Sequence, residues 1–202
     1  MKTNYITIDG VIGAGKTTLT KMLAEKYNAR ILLEIVEENP FLADFYRDRK
    51  RYAFQTQLFF LLSRYRQQQQ IVQQDLFQGS LVSDYLFAKD KIFAYLNLEN
   101  RELALYEKII VLLERDIVKP DLVVYLKSSP DRLMANIRKR GRDFERDMSE
   151  SYIKSLNDAY NHFFNRYTET DLLTINATEI DFVNVSSDFE SIVDKIEAVL
   201  QW

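Results

Sequence analysis

Gly10-Val11-Ile12-Gly13-Ala14-Gly15-Lys16-Thr17 stands directly after the apolar run Tyr5–Ile8 and before a helical pattern over Thr17–Tyr27. The spacing is G-x-x-x-x-G-K-[ST], and a strand on one side with a helix on the other is the context this motif requires. Glycine lets the backbone turn tightly enough for successive N–H groups to point inward at phosphate oxygens. The N-terminus of the following helix adds its partial positive charge at the same point. Lys16 is then expected to reach the β- and γ-phosphates of ATP, and the Thr17 hydroxyl to bind Mg²⁺. Chance is the bland alternative. It is weakened by scarcity: only five glycines occur in 202 residues, and Gly10, Gly13 and Gly15 are three of them.

Short β-rich runs at Tyr5–Ile8, Ile31–Val36, Leu81–Ser83, Leu122–Leu126 and Leu172–Ile175 alternate with segments of helical pattern. The helical segments are Thr17–Tyr27, Arg51–Phe77, Arg101–Asp116, Asp131–Arg138, Glu150–Tyr167 and about Asp188–Leu200. Strands separated by helical crossovers predict a parallel sheet. Such crossovers are right-handed, which leads to a doubly wound α/β domain with five parallel strands and helices on both faces. No linker, repeat or Pro/Gly-rich stretch divides residues 1–202, so one domain is expected. The run Gln67–Gln70 reads as a solvated helix face.

Hydrophobic residues make up 47% of the chain and charged residues 28%, an ordinary balance for a globular protein. A net charge of −3 gives no general attraction to nucleic acid or to an anionic membrane surface. With no cysteine and one histidine, His162, a thiolate zinc site, a disulfide framework and a cysteine nucleophile are all excluded. Asp9 interrupts the N-terminal apolar run, and no stretch approaches the roughly 20 apolar residues of a membrane span. A soluble cytoplasmic protein is the expectation.

Phosphate-binding loops serve many activities. The N-K-x-D motif of guanine-reading switches is absent. A kinase of small molecules needs an acceptor pocket, a base, and a cationic lid that closes over the phosphates. Arg138-Lys139-Arg140-Gly141-Arg142-Asp143-Phe144-Glu145-Arg146 offers four arginines and a lysine, so residues 138–148 are the candidate lid. A solvated basic helix end is the simpler reading of that run taken alone.

The chain as a whole resembles the deoxynucleoside kinases, most closely the bacterial deoxyguanosine/deoxyadenosine kinases. The resemblance rests on GVIGAGKTT, EIVEENPFL followed by FY, FQTQLFFLLSRYRQQ, SDYLFAKD and KRGRDFE, in that family's order. It implies the P-loop kinase fold, ATP with Mg²⁺ as phosphoryl donor, a deoxynucleoside 5′-hydroxyl as acceptor, a role in nucleotide salvage, and a homodimer. Gly10 through Thr18 (Gly10, Val11, Ile12, Gly13, Ala14, Gly15, Lys16, Thr17, Thr18) match the ATP loop. Thr178–Phe182, with Asp181 and Phe182, matches the loop against the adenine. Glu34 matches the catalytic carboxylate that takes the 5′-hydroxyl proton, a role suited to the carboxyl end of a strand. Glu37 and Glu38 are alternatives for that base. Tyr46 and Glu145 match the residues that hold the sugar 3′-hydroxyl, Gln57 the residue that pairs with the base, and Arg64 and Asp90 further base contacts. Gln57 and Arg64 are seven residues apart, which on a helix puts them on one stripe about 10 Å apart. Phe54 and Phe87 are candidate stacking rings, with core packing as the alternative. Asp84 matches the acidic residue near Mg²⁺, and Arg140 and Arg142 match lid arginines.

The sequence departs from the family at two points. The acidic–Arg pair reads Asp84-Tyr85, so a cation is missing, with Arg64, Arg138 and Arg140 as candidates to replace it. Asn136 stands where relatives often carry an arginine. A thymidylate-type nucleoside-monophosphate kinase is the nearest competing reading, but it needs cations where this chain offers Glu34, Glu37 and Glu38. A nucleotide-sensing P-loop protein with little turnover is a third.

Overall fold

The computed structural model describes residues 4–73 and 79–201. Strands β1 (Tyr5–Gly10), β2 (Arg30–Leu32), β3 (Leu81–Ser83), β4 (Leu122–Lys127) and β5 (Asp171–Asn176) form one sheet, all parallel, in the order β2-β3-β1-β4-β5. The α-helices are α1 (Lys16–Lys26), α2 (Leu42–Arg47), α3 (Arg49–Gln73), α4 (Asp90–Asn97), α5 (Asn100–Leu113), α6 (Pro130–Arg140), α7 (Glu150–Phe164) and α8 (Ser186–Leu200). Every residue of β1 is buried, and β4 is buried through Leu126. A strand hidden on both faces needs helices on both faces, which is the arrangement that a parallel sheet stabilises. α1 packs on β1 and β3, α8 on β5, and α3 and α7 both meet α4. No described helix is long and apolar enough to cross a membrane.

Local chemistry sets the elements that matter for the site. α6 starts where Ser129 accepts the Arg132 N–H at 3.3 Å, with Pro130 in the first turn, and it stops at Gly141 with φ 65°. That sharp stop throws the chain into the 142–149 segment, which α7 ends when Ser149 caps it through the Tyr152 N–H at 3.3 Å. Tyr125 on β4 stacks on Phe164 of α7 with centroids 4.2 Å apart, and Tyr160 lies alongside. This aromatic group anchors α7 to the middle of the sheet.

Several expectations are corrected. β2 ends at Leu32, so Leu33–Val36 is extended chain beyond the sheet and Glu34 lies past the strand's end. Its backbone N–H is taken by the Asp84 carboxylate at 2.7 Å in place of a strand partner. α2 and α4 were not foreseen; with 6 and 8 residues they are too short to show a clear period. The expected helix Arg51–Phe77 begins earlier, at Arg49, and its last residues, 74–77, lie outside the described residues. Gln67 and Gln68 are buried, not solvated. Gln67 donates to the Leu33 carbonyl at 2.8 Å and Gln68 to the Tyr5 hydroxyl at 3.2 Å, tying α3 to the sheet and to the chain carrying Glu34.

The loop after β1 has no space for a side chain at Gly13. Gly13 has φ 87°, and a Cβ there would lie 2.7 Å from the Leu133 carbonyl oxygen of α6. Left-handed backbone alone costs an alanine about 1–2 kcal/mol. Gly13→Ala should therefore lower Tm by roughly 4 °C or more and weaken nucleotide binding. Thermal melts with and without ATP check this, and an unchanged Tm would contradict the contact.

Candidate active site

Two cavities meet at the carboxyl ends of β1 and β3, beside the point where the strand order reverses, which is where open α/β sheets bind ligands. The outer cleft, about 700 Å³, lies along Gly13–Thr18 and is closed on its far side by Asp181 and Phe182. The inner cavity, about 280 Å³, is walled by α3 and floored by Glu34 and Asp84. Lys16, Thr17, Arg140 and Arg142 border both. A group passing from one cavity to the other must cross those cations.

In the outer cleft Lys16 folds back to donate to the carbonyls of Gly10 at 2.8 Å and Val11 at 3.1 Å. Burial and the nearby Lys89 bring its ammonium down to about 8, against the pull of Asp9, Glu34 and Asp84. Phe182 packs on Gly15, where a Cβ would meet the ring at 2.9 Å. Asp181 shapes its own loop, accepting the Asn184 N–H at 3.1 Å. Of the expected ATP contacts, Gly10 and the core residue Val11 line neither cavity and Ile12 borders the inner one, so none of the three lines the outer cleft. Asn136 donates to the Gly13 carbonyl at 2.8 Å and braces the loop. Arg132, one helical turn earlier on α6, faces the cleft and was not foreseen.

Thr17 donates to one Asp84 oxygen at 2.6 Å while the other oxygen holds the Glu34 N–H. Asp84 thus joins the phosphate loop to the chain carrying the expected base. Among the described residues no group of three or more His, Cys, Asp or Glu gathers to cage a metal. One hydroxyl and one carboxylate suit Mg²⁺, which keeps waters and takes its other ligands from phosphates.

The inner cavity gathers Glu34, Tyr46, Gln57, Arg64, Asp84 and Glu145 from five separate stretches of chain. Glu34 Oε1 accepts Arg64 Nε at 2.7 Å and Oε2 accepts Lys89 Nζ at 3.0 Å. Burial alone would raise this carboxyl, but Arg64 and then Lys89 outweigh it and hold it at about 2. Glu37 also borders the inner cavity but is largely exposed and paired with Arg142 at 2.8 Å, and Glu38 borders neither cavity. Burial holds the Tyr46 hydroxyl well above its usual range, with the Tyr152 and Glu145 side chains adding to the effect, so it stays neutral. Arg140 binds the Glu145 carboxylate through Nε at 3.2 Å, so the lid already reaches the expected sugar site. Arg138 turns outward to Glu150 and borders neither cavity, which removes it as the replacement cation.

Three expected contacts lie elsewhere. Phe54 does not line the inner cavity; Phe60 does, along with Phe93 from α4. At 100° per residue the cavity-facing positions Ala53, Thr56, Gln57, Phe60 and Arg64 share one arc, and Phe54 points about 100° away from its centre. Phe87 packs with Leu61, Tyr106 and Ile110 in a separate apolar cluster. Asp90 is fully buried behind the wall. It takes Arg64, the Gln57 amide and the Tyr106 hydroxyl, the last at 2.9 Å. It holds the side chains that face the cavity and does not itself border it. Asp9, read in the sequence only as a break in the N-terminal apolar run, was not expected at the site. It is also fully buried and accepts the N–H groups of Gly10 at 2.7 Å and Leu86 at 3.0 Å, clamping the ends of β1 and β3 together.

Residues 6–201 match the profile of the deoxynucleoside kinase family. The deoxyguanosine kinase of Bacillus subtilis (strain 168) is 38% identical over 201 residues, covering 97% of either chain. The deoxyadenosine kinase of Dictyostelium discoideum is 40% identical over 164 residues, 79% of this chain and 66% of that one. Among solved structures, deoxyadenosine kinase from M. mycoides with bound dATP superposes with a TM-score of 0.82 at 28% identity, covering 96% of this chain and 99% of that one. The family match spans the P-loop, the residues of the inner cavity and residues 138–148. The chain belongs to the deoxynucleoside kinase family.

Proposed function

We infer that this kinase transfers the γ-phosphoryl group of ATP to the 5′-hydroxyl of a purine deoxynucleoside, with deoxyguanosine ahead of deoxyadenosine, in nucleotide salvage in the cytoplasm. The observation that carries the reading is the buried carboxylate Glu34, clamped by two cations on the floor of a closed cavity that opens onto the phosphate loop. The outer cleft suits the donor: loop N–H groups, the α1 N-terminus and Lys16 surround its phosphates. Thr17 and Asp84 would hold Mg²⁺, which when bound neutralises charge on the β- and γ-phosphates. Arg140 and Arg142 stand between the cavities, where charge on the transferring group is greatest.

The inner cavity suits the acceptor. Tyr46 and Glu145 present a hydroxyl and a carboxylate for the sugar 3′-hydroxyl. Glu34, ionised at any working pH, orients the 5′-hydroxyl and takes its proton as the bond to phosphorus forms. So acidic a carboxylate is a weak base in the resting enzyme. That matches a loose transition state in which proton removal comes late and positioning dominates. Both N–H groups of Gln57 point at Asp90, so its Oε1 is left to accept from a base N–H. The purine preference draws on the likeness to the B. subtilis deoxyguanosine kinase and on the guanidinium of Arg64 in the cavity wall.

A monophosphate acceptor fits poorly, because the floor of the cavity, Glu34 and Asp84, is acidic where a phosphate needs cations. A homodimer is part of the reading: Leu62 on α3 and Leu105, Val111 and Leu112 on α5 are large apolar side chains left exposed. Light scattering should give twice the 23.9 kDa chain mass, and Leu112→Glu should shift it toward the single-chain value.

Lys16→Ala should reduce turnover about 10³-fold or more with the fold intact, and Glu34→Gln should lower kcat about 10²–10⁴-fold. The assay compares kcat/KM for deoxyguanosine, deoxyadenosine, deoxycytidine and thymidine and for their monophosphates. A pyrimidine preference refutes the substrate, a monophosphate preference refutes the acceptor, and an active Lys16→Ala refutes the donor site.

Lys16 also gives a pH test. Its ammonium sits near 8 in the free protein, and bound phosphates favour the protonated form, so ATP binding near pH 8 should take up protons. Apparent ATP affinity should then fall as pH rises through 8. Titration calorimetry at pH 8 in two buffers of different ionisation enthalpy reads the uptake directly, and identical heats would contradict it.

A further inference from the structure

Lys89 ends the 3₁₀ turn Phe87–Lys89 and is only 2% exposed. A lysine ammonium that deep needs an anion, since an unpaired buried charge is strongly destabilising. Its partner is Glu34 Oε2 at 3.0 Å, and its Nζ lies 5.9 Å from the centre of the Tyr85 ring. The other charged groups facing it are Asp9 on β1 and Lys16 on α1. Arg64 of α3 grips the opposite oxygen of the same Glu34 carboxylate. Tyr85 itself is fully buried and brings no charge to the position beside Asp84. The chain regains a cation four residues later, at the start of the α4 segment.

We propose that Lys89 is a positioning residue for phosphoryl transfer: it fixes the Glu34 carboxylate against the acceptor hydroxyl and supplies, from position 89, the cation that Tyr85 does not. The proposal rests on the reading of Glu34 as the group that meets that hydroxyl. Arg64 fills both lone pairs of Oε1 through Nε and Nη2, and Lys89 holds Oε2, so the carboxylate cannot rotate and Oε2, the oxygen Lys89 fixes, keeps a lone pair for the substrate. Removing Lys89 frees one oxygen and leaves Glu34 with a single close counter-cation. The same change takes a like charge away from Lys16. Lys89 thus acts through Glu34 without touching the nucleoside.

The experiment is a double-mutant cycle on the full chain with Lys89→Met and Glu34→Gln, read as kcat and KM separately, with Lys89→Arg as the conservative rescue. Lys89→Met should lower kcat roughly 10–10²-fold with smaller changes in KM. Lys89→Arg should restore most of that kcat. In the Glu34→Gln background Lys89→Met should add less than about threefold. A loss carried by KM with kcat unchanged, a Lys89→Arg variant as slow as Lys89→Met, or losses that multiply in the double variant overturns the proposal. If Lys89→Met does not melt cooperatively, Lys89→Gln takes its place in the cycle under the same criteria. A Glu34→Gln enzyme of full activity would refute the reading of Glu34 itself, whereas a crippled Glu34→Gln beside an unaffected Lys89→Met would refute Lys89 alone.

Discussion

Four charged side chains lie together behind and beneath the inner cavity, and none of them is tolerable there without the next. Asp90, Arg64, Glu34 and Lys89 form a continuous ladder, with side-chain exposures of 0%, 4%, 13% and 2%. Removing one partner of such a pair typically costs about 3–5 kcal/mol, because the survivor is left charged and dry. The ladder is built from segments distant in sequence: the chain after β2, the middle of α3, and the entry to α4. It therefore fixes how far α3 can slide and rotate against the sheet, which apolar packing alone specifies loosely. The Tyr106 hydroxyl and the Gln57 amide occupy further lone pairs of Asp90, so the network has no unsatisfied carboxylate at its inner end.

The other flank is held by backbone groups. Asp9 and Asp84, at the ends of β1 and β3, accept the N–H groups of Gly10, Leu86 and Glu34. Burial raises the Asp9 carboxyl, with Lys89 and Lys16 opposing that shift. Both lysines are thus shared between the two flanks: Lys16 lies on the carbonyls of the phosphate loop and Lys89 on the Glu34 carboxylate. A carboxylate bound to N–H groups stabilises a turn as well as a charge, so the loop geometry and the field at the phosphate site have a common origin.

The legible part of this architecture is the part written locally. The strand–loop–helix unit around Gly10–Thr17 is a contiguous motif, and the alternation of apolar runs with helical patterns was enough for five parallel strands, β3 falling on the expected residues. What went astray depends on partners far along the chain. Gln67 and Gln68 read as solvated because nothing near them in sequence announces the Leu33 carbonyl or the Tyr5 hydroxyl that receives them. Phe54 and Phe60 have the same chemistry on the same helix, and only the phase of α3 against the sheet separates them. Asp90 was expected at the base, yet it lies behind Gln57 and Arg64, the residues that face the cavity, a distinction that depends on depth and not on residue type. Lys89 lies within the stretch SDYLFAKD, yet its pairing appears only when Glu34 is seen across from it.

That depth changes how the site discriminates. If Asp90 met the base directly, the pocket would offer a charged acceptor and would favour whichever ring presents two donors to it. Set behind the wall, it orients Gln57 and Arg64 before any substrate arrives, so the cavity offers a fixed amide oxygen and a guanidinium already bonded on two sides. On the proposed reading, recognition comes from leaving preset groups unpaired when the wrong base enters, at about 1–3 kcal/mol for each buried polar atom without a partner. The same arrangement explains why the Glu34 carboxyl is so acidic: the guanidinium in the cavity wall grips it as well. Under that reading substrate selection and hydroxyl positioning are coupled through one side chain, and a change made at Arg64 to alter the first cannot leave the second untouched.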